Sequence, residues 1–233
     1  MSCILTIESS TETCSVAVCQ DGSVIFEKNN KEANAHTKYL ASFVEEAISF
    51  ADNHAIPLDA VAVSSGPGSY TGLRIGVSTA KGVCYGRNIP LIAIPTLKIL
   101  CVGPLLSDEI DEENALLCPM IDARRMEAYT TIYDRALKEA RTVQADIIDE
   151  HTYDEWLNKG VVYFFGNGAE KCKEVIKHPN ARFIDNILPS ARMMLPLAEL
   201  AIAKNDYVDV AYFEPFYLKE FVAIKSKSLL ESY

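Results

Sequence analysis

The sequence lacks the motifs that define the commonest enzyme sites. Its four histidines lie far apart, so no His-Glu-x-x-His or other close histidine pair is available for a metal. Its seven cysteines are odd in number and include no Cys-x-x-Cys, which excludes a regular disulfide framework and a zinc knuckle. Neither a Gly-x-Ser-x-Gly elbow nor a Gly-x4-Gly-Lys-Ser/Thr loop occurs, so serine-hydrolase and P-loop chemistry lose their sequence support.

Basic charge and long apolar runs are scarce as well. Lys and Arg total 22 against 32 Asp and Glu, which gives a formal net charge of −10. Since phosphate neutralisation dominates nucleic-acid affinity, such a chain is a poor candidate for binding RNA or DNA alone, although it could sit beside a basic partner. No run approaches the roughly 20 apolar residues of a membrane span, and residues 1–7 are too short for a signal peptide. We therefore expect a cytoplasmic protein in a reducing compartment, with no membrane partner.

The sequence has the composition of a globular protein, and its pattern predicts strands that alternate with helices. The 233 residues are 49% hydrophobic, enough for one large or two small domains. Strands are predicted at 2–7, 14–19, 23–27, 60–63 and 91–94, with a helix that Thr37 would cap, a helix over 71–85 and another from 96. The hydrophilic stretch 107–114 predicts a boundary between a lobe at 1–106 and a smaller αβ lobe at 107–233. The last segment would pack back on the first lobe, but the tail from 204 has no clear pattern.

Residues 64–86, SSGPGSYTGLRIGVSTAKGVCYG, are the most informative stretch. The Gly-Pro-Gly turn ends a strand, and Ser69 is placed to cap the helix that follows, whose first N–H groups could hold an anion. Gly72, Gly76 and Ala80 share one face of that helix, where small residues let another backbone approach closely. The turn thus predicts a ligand and the helix a protein partner. The alternative is a helix packed tightly on its own sheet.

Other polar clusters are less specific. The loop Glu8-Ser9-Ser10-Thr11-Glu12-Thr13 lies between two predicted hairpin strands and contains no glycine. It reads either as a phosphate-holding loop or as a polar hairpin loop capped by its own hydroxyls. Asp122-Ala123-Arg124-Arg125 follows a strand and reads as a salt-bridged turn or a contact site.

These residues together resemble one family. The segments Ile4–Val18, Gly66–Gly76, His36-Thr37-x-x-Leu40, Asp122–Arg125 with Tyr129, and Tyr217–Lys219 are similar to the signatures of the TsaB (YeaZ) family. The resemblance implies an α/β fold of two ribonuclease-H-like lobes, as in actin and the Hsp70 ATPase, with the second lobe reduced. Such ATPases hold phosphates at the first hairpin loop. Glu8 departs from the family pattern, which more often has Asp there, and this weakens any metal role.

The resemblance also implies a function. The family belongs to the bacterial machinery that makes N6-threonylcarbamoyladenosine at position 37 of tRNA, in which TsaD is catalytic and TsaE is an ATPase. We expect a non-catalytic scaffold subunit that pairs with TsaD, recruits TsaE, pairs with itself when TsaD is absent, and meets tRNA only indirectly. No catalytic residue, metal or cofactor of its own is expected. ATP or ADP could bind at the interface with TsaD, in a pocket that TsaD completes.

The predicted site residues form two sets. The partner interface would combine two helix faces and consists of Tyr39, Leu40, Phe43, Ala47, Gly72, Ile75, Gly76, Thr79, Ala80 and Val83. The candidate nucleotide-proximal residues are Glu8, Ser9, Ser10, Gly66, Gly68 and Arg74. On this view Gly76→Leu would abolish pairing and leave the fold largely intact. The rival hypothesis is a stand-alone enzyme, either an ATP-dependent phosphotransferase or a metallopeptidase of the M22 type.

Overall fold

The computed structural model describes residues 2–32 and 34–219, which form two sheets with helices. The strands of the first sheet are Cys3–Glu8 (β1), Cys14–Gln20 (β2), Ser23–Asn30 (β3), Ala60–Ser64 (β4) and Leu91–Ile94 (β5). Those of the second are Leu116–Asp122 (β6), Glu127–Tyr133 (β7), Glu139–Ile147 (β8), Val162–Phe165 (β9) and Ala181–Ile184 (β10). The helices are Ala35–Asn53 (α1), Tyr70–Arg87 (α2), Thr96–Leu106 (α3), Asp154–Leu157 (α4) and Leu195–Lys204 (α5), with short 3₁₀ turns at Glu170–Cys172 and Ala191–Met194.

The two sheets share one topology. The first has the order β3-β2-β1-β4-β5, in which β1 to β3 are antiparallel and β4 and β5 run parallel to β1. The second repeats this as β10-β9-β6-β7-β8. The helical layer is shorter in the second lobe, where α4 and a 3₁₀ turn stand at the positions of α1 and α2. This confirms the predicted α/β fold of two ribonuclease-H-like lobes, the second reduced.

The first sheet is buried on both faces, which explains its nearly continuous apolar strands. Because side chains alternate along a strand, Leu5 and Ile7 of β1 face the layer of α1 and α2. Ile4 faces the opposite side and packs with Ile92 and with Met194, which precedes α5. The sheet thus needs helices on both sides.

Helix α3 lies between the lobes and is apolar on nearly every side, as a helix buried all round must be. Its Leu97 and Leu100 pack with Phe165 of the second sheet. Its Ile99 packs with Ile94 of the first sheet. One helix therefore belongs to the cores of both lobes.

The chain returns to the first lobe earlier than the sequence indicated. Met194 and Ala198 pack on the outer face of the first sheet, and Val208 bridges to Leu91. Residues 191–208 therefore pack on the first lobe. The sequence placed them within 107–233, where only an undefined last segment was expected to pack back on the first lobe. The physical reason is that the second face of the first sheet needs an apolar cover, which α5 supplies.

Local sequence patterns predicted one helix N-cap correctly, but they missed the N-cap of α1 and the strand β8. Ser69 caps α2 as predicted, since its Oγ accepts from the Gly72 N–H at 3.2 Å. Thr37 is not the cap of α1, because the helix begins at Ala35 and its N-cap is Asn34, which has a left-handed backbone (φ 63°). β8 was not predicted, because its sequence EARTVQADI is mostly polar and it lies at a sheet edge. Over the described residues, no helix is both long and apolar enough to cross a membrane.

Candidate functional site

A cleft of about 800 Å³ lies between the two lobes. The parallel strands β1, β4, β6 and β9 direct their carboxyl ends toward it, and ligands of open α/β sheets bind at such edges. Its walls are the β1–β2 loop, the starts of α1 and α2, the β6–β7 turn and residues 216–219. The cleft is therefore the natural candidate site of this fold.

Glu8, at the end of β1, is fully buried beneath this cleft and does not line it. Its Oε1 accepts from the Ser10 N–H at 2.6 Å and from Ser10 Oγ at 2.5 Å. Its Oε2 has no hydrogen-bond partner among the described residues. Burial raises the pKa of Glu8 to about 7, although the hydrogen bonds from Ser10 act in the opposite direction. The carboxyl group is thus an internal anchor of its own loop.

The small residues of α2 make room for that loop. A Cβ added at Gly72 would meet the backbone oxygen of Ser9, and one added at Gly76 would meet the Ser9 side chain. Both contacts would be closer than real Cβ atoms show. A Cβ added at Gly68 would likewise meet the backbone oxygen of Ser10. That oxygen also accepts a hydrogen bond from the Ser69 N–H at 2.6 Å. The alternative that α2 packs tightly within its own lobe is therefore the one the structure supports.

This packing corrects half of the predicted partner interface. Five of the predicted interface residues are buried in the core of the first lobe, where another chain cannot reach them: Leu40, Ala47, Gly72, Gly76 and Ala80. The expectation that Gly76→Leu would leave the fold intact is wrong for the same reason, since the larger side chain would collide with Ser9.

The other five predicted interface residues are half-buried. Tyr39 and Phe43 of α1 stack with ring centroids 5.8 Å apart. Ile75, Thr79 and Val83 follow one another at four-residue spacing along α2. These adjacent half-buried side chains, of which only Thr79 is polar, leave a surface on two neighbouring helices that a partner could cover. The five residues therefore remain a predicted interface.

Only some of the predicted nucleotide-proximal residues line the cleft. Ser10 and Gly68 belong to the cleft lining, although Ser10 itself is buried. Glu8 and Ser9 are also buried and do not line the cleft. Gly66 abuts the backbone oxygen of Phe216 and lies outside the lining. The Ser10 N–H, which a phosphate would need, is already bound to Glu8. The loop in this conformation therefore does not fit a phosphate or its metal.

Arg74 lies beside the cleft and is held there by aromatic rings. Its guanidinium is 4.2 Å from the ring centroid of Tyr70, and its Nε donates to Tyr217 Oη at 3.4 Å. It is not part of the cleft lining. Within residues 2–32 and 34–219, no group of three or more His, Cys, Asp or Glu could hold a metal ion.

The β6–β7 turn is a feature that the sequence indicated only in part. Arg124 and Arg125 both have left-handed backbones (φ 68° and 51°), which is uncommon for residues other than glycine. Lys171 holds the turn, because its Nζ pairs with the Asp122 carboxylate and donates to the Arg125 and Glu127 carbonyl oxygens at 2.7 and 2.6 Å. Arg124 thereby lines the cleft. The role of Lys171 has no local sequence signal, since it follows the turn by more than 40 residues.

Two lobes of ribonuclease-H-like topology around a cleft define a protein of the actin- and Hsp70-like class. The family model described as TsaD, tRNA N6-adenosine threonylcarbamoyltransferase, matches residues 28–225. The tRNA threonylcarbamoyladenosine biosynthesis protein TsaB of Escherichia coli K12 is 30% identical, over 95% of this chain and 96% of that protein. The protein of the same name from Haemophilus influenzae is 26% identical, over 95% of each chain.

A solved structure agrees with these relatives. YeaZ from Pseudomonas aeruginosa superposes with a TM-score of 0.77 at 26% identity, and the match covers 94% of this chain and all of that one. The chain belongs to the TsaB (YeaZ) family.

Proposed function

We propose that the chain is a non-catalytic subunit in the synthesis of tRNA threonylcarbamoyladenosine, and that it acts by pairing with the transferase TsaD. The pathway is supported by the names of its relatives, which are biosynthesis proteins for this nucleoside. The non-catalytic role rests on one observation above all: the loop that would serve a nucleotide is packed into α2, and its acid, Glu8, is buried away from the cleft.

The pairing surface that we propose is the half-buried face of α1 and α2 formed by Tyr39, Phe43, Ile75, Thr79 and Val83. In the absence of TsaD, the same face would pair with a second copy, since an isologous interface needs only one self-complementary patch. TsaE would join the assembled pair. The net charge of −10 favours contact with tRNA through the partner rather than through this chain.

The experiment combines the chain with its cognate TsaD and measures tRNA modification with and without it. Val83→Asp should weaken pairing by at least about tenfold, because a carboxylate would have to be desolvated at the interface. Val143→Asp is the matched control, since Val143 is also half-buried but lies on β8 in the other lobe. Equal pairing and modification with both variants would contradict the proposed surface.

The stand-alone enzyme is the alternative that this experiment must also address. ATP or peptide turnover by the purified chain that disappears in Glu8→Ala would overturn the non-catalytic role. Because Glu8 also anchors a buried loop, folding of that variant has to be verified by circular dichroism.

A nucleotide at the interface with TsaD is the cofactor that we propose for the pair. The first turn of α2, the residues Gly68 and Ser69 just before it, and Arg124 from the second lobe line the same cleft and suit an anionic group. Since the Ser10 N–H is occupied, the chain alone lacks a complete phosphate loop. ADP should therefore bind to the pair in calorimetry and to neither subunit alone. Tight binding to the isolated chain would contradict this.

A further inference from the structure

The described part of the segment that follows α5 runs along the first lobe and reaches the second lobe at Lys219. A turn at Asp209 leads into it, where the Asp209 carboxylate accepts from the Ala211 and Tyr212 N–H groups. Lys81 of α2 then binds the backbone, since its Nζ donates to the carbonyl oxygens of Ala211 and Phe213 at 3.0 and 3.1 Å. We call residues 213–219 the strap.

The strap is attached to the first lobe through several contacts. The Phe216 N–H donates to the Ser65 carbonyl oxygen at 2.7 Å. The Phe216 carbonyl oxygen lies where a side chain on Gly66 would be, so the two backbones touch. The Tyr217 ring packs on Tyr70 with centroids 4.9 Å apart. This end of the strap is therefore held on the first lobe by both backbone and side-chain contacts.

On the second lobe, one ion pair of the described residues holds the strap. Lys219 Nζ pairs with the Glu127 carboxylate of β7. The Lys219 side chain is 46% exposed and that of Glu127 is 20% exposed. Residues 216–219, which include both of these attachment points, form part of the cleft wall.

A second polar contact joins the lobes at the cleft. Asn167, after β9, donates from Nδ2 to Glu12 Oε2 at 2.9 Å. The same side chain accepts from the Asp122 N–H at 3.0 Å, which fixes the orientation of its amide. The arrangement of the lobes in this structure is thus held by side-chain contacts that are partly open to water and by the shared helix α3.

We propose that residues 213–219 are a strap that holds the two lobes closed over the cleft, and that the Lys219–Glu127 pair is its releasable end. The two ends of the strap differ in how strongly they are held. Up to Lys219, the last residue that the structure describes, a backbone hydrogen bond, a ring pair and a backbone–backbone contact hold the strap on the first lobe, whereas one solvent-accessible ion pair holds it on the second. An ion pair of this exposure shifts an equilibrium by a factor of up to about five, so a ligand or partner can displace it.

The test measures the distance between the lobes with spin labels. All seven native cysteines are buried, so cysteines introduced at the exposed positions Glu45 and Glu174 can be labelled selectively. Lys219→Glu should raise the population with longer interlobe distances by up to about fivefold. Adding Glu127→Lys to Lys219→Glu should restore the original distribution. Lys159→Glu, which alters an ion pair within the second lobe, should change nothing.

Truncation provides a second measurement that does not depend on one ion pair. A chain that ends at Tyr212 lacks the strap, and a chain that ends at Lys219 retains it. Only the first should show longer interlobe distances, and circular dichroism would verify that both fold. Unchanged distances in Lys219→Glu and in the chain ending at Tyr212 would overturn the proposal. If the charge-swapped pair did not restore closure, the Lys219–Glu127 pair would not be the releasable end.

Discussion

At the scale of single residues, the tightest packing that we find is between α2 and the loop after β1. Gly72 and Gly76 leave room for Ser9, and Gly68 leaves room for Ser10. Gly82, on the same helix, has no atom within 4 Å of where its Cβ would be. The helix thus carries glycines of two kinds, those that the fold requires and those that it does not.

Gly72→Ala should therefore lower the free energy of unfolding by about 1–3 kcal/mol, because the methyl group meets a backbone oxygen that cannot rotate away. Gly82→Ala is the control and should raise it by up to about 1 kcal/mol, since alanine is the better helix former and the site is open. Urea denaturation of both variants measures the difference. Similar effects of the two substitutions would show that the loop does not rest on α2.

Glu8 makes the stability of the protein depend on pH. Burial raises its folded-state pKa from 4.5 to about 7, so the folded protein binds this proton more tightly than the unfolded chain does. The resulting stabilisation is fully present below about pH 4.5 and is lost as the pH rises through 7.

Glu8→Gln keeps an acceptor for Ser10 but does not titrate. The unfolding free energy of the variant relative to the native protein should therefore increase by about 3 kcal/mol between pH 4.5 and 8. Urea titrations at several pH values provide the measurement. Parallel pH profiles for the two proteins would mean that Glu8 has an ordinary pKa in the fold.

At the scale of elements, α3 couples the two lobes. Ile99 packs on the first sheet, whereas Leu97 and Leu100 pack on the second. Ile99→Ala should cost about 2–5 kcal/mol, as deletion of buried methyl groups does. Trp156, the one tryptophan, packs against the core of the second lobe, so its fluorescence reports that lobe alone.

If α3 belongs to both cores, Ile99→Ala should lower the midpoints of Trp156 fluorescence and of far-UV circular dichroism together. Ile147→Ala, at a side chain 76% exposed on β8, is the control and should stay within about 0.5 kcal/mol of the native protein. A Trp156 midpoint that stays unchanged in Ile99→Ala would mean that the lobes unfold independently.

Elements with a regular pattern could be predicted from the sequence, and contacts between distant residues could not. The strands β1, β4 and β5 are short apolar runs between turn residues, and α1 and α2 have the helical period. β8 escaped prediction because an edge strand with polar residues on both faces resembles a loop. The small-residue face of α2 was recognised, but local spacing could not show that its partner was Ser9 of the same chain.

At the scale of the whole molecule, the acidic charge sets how the chain would meet tRNA. The net charge is −10, and the basic groups Lys171 and Lys219 beside the cleft are already paired with the carboxylates of Asp122 and Glu127. Arg74, Arg124 and Arg125 are too few to offset the overall repulsion, since affinity for nucleic acid grows with the number of phosphates neutralised.

The isolated chain should accordingly bind tRNA no more tightly than about 10⁻⁴ M at physiological salt, the weak limit of non-specific binding. Filter binding at about 50 and 200 mM salt would measure both the affinity and its salt slope. TsaD alone and the pair serve as comparisons, and tight binding should appear only when TsaD is present. Submicromolar binding by the chain alone, with a steep loss of affinity as salt rises, would mean that its own surface neutralises several phosphates. The subunit would then have a direct role in holding the substrate.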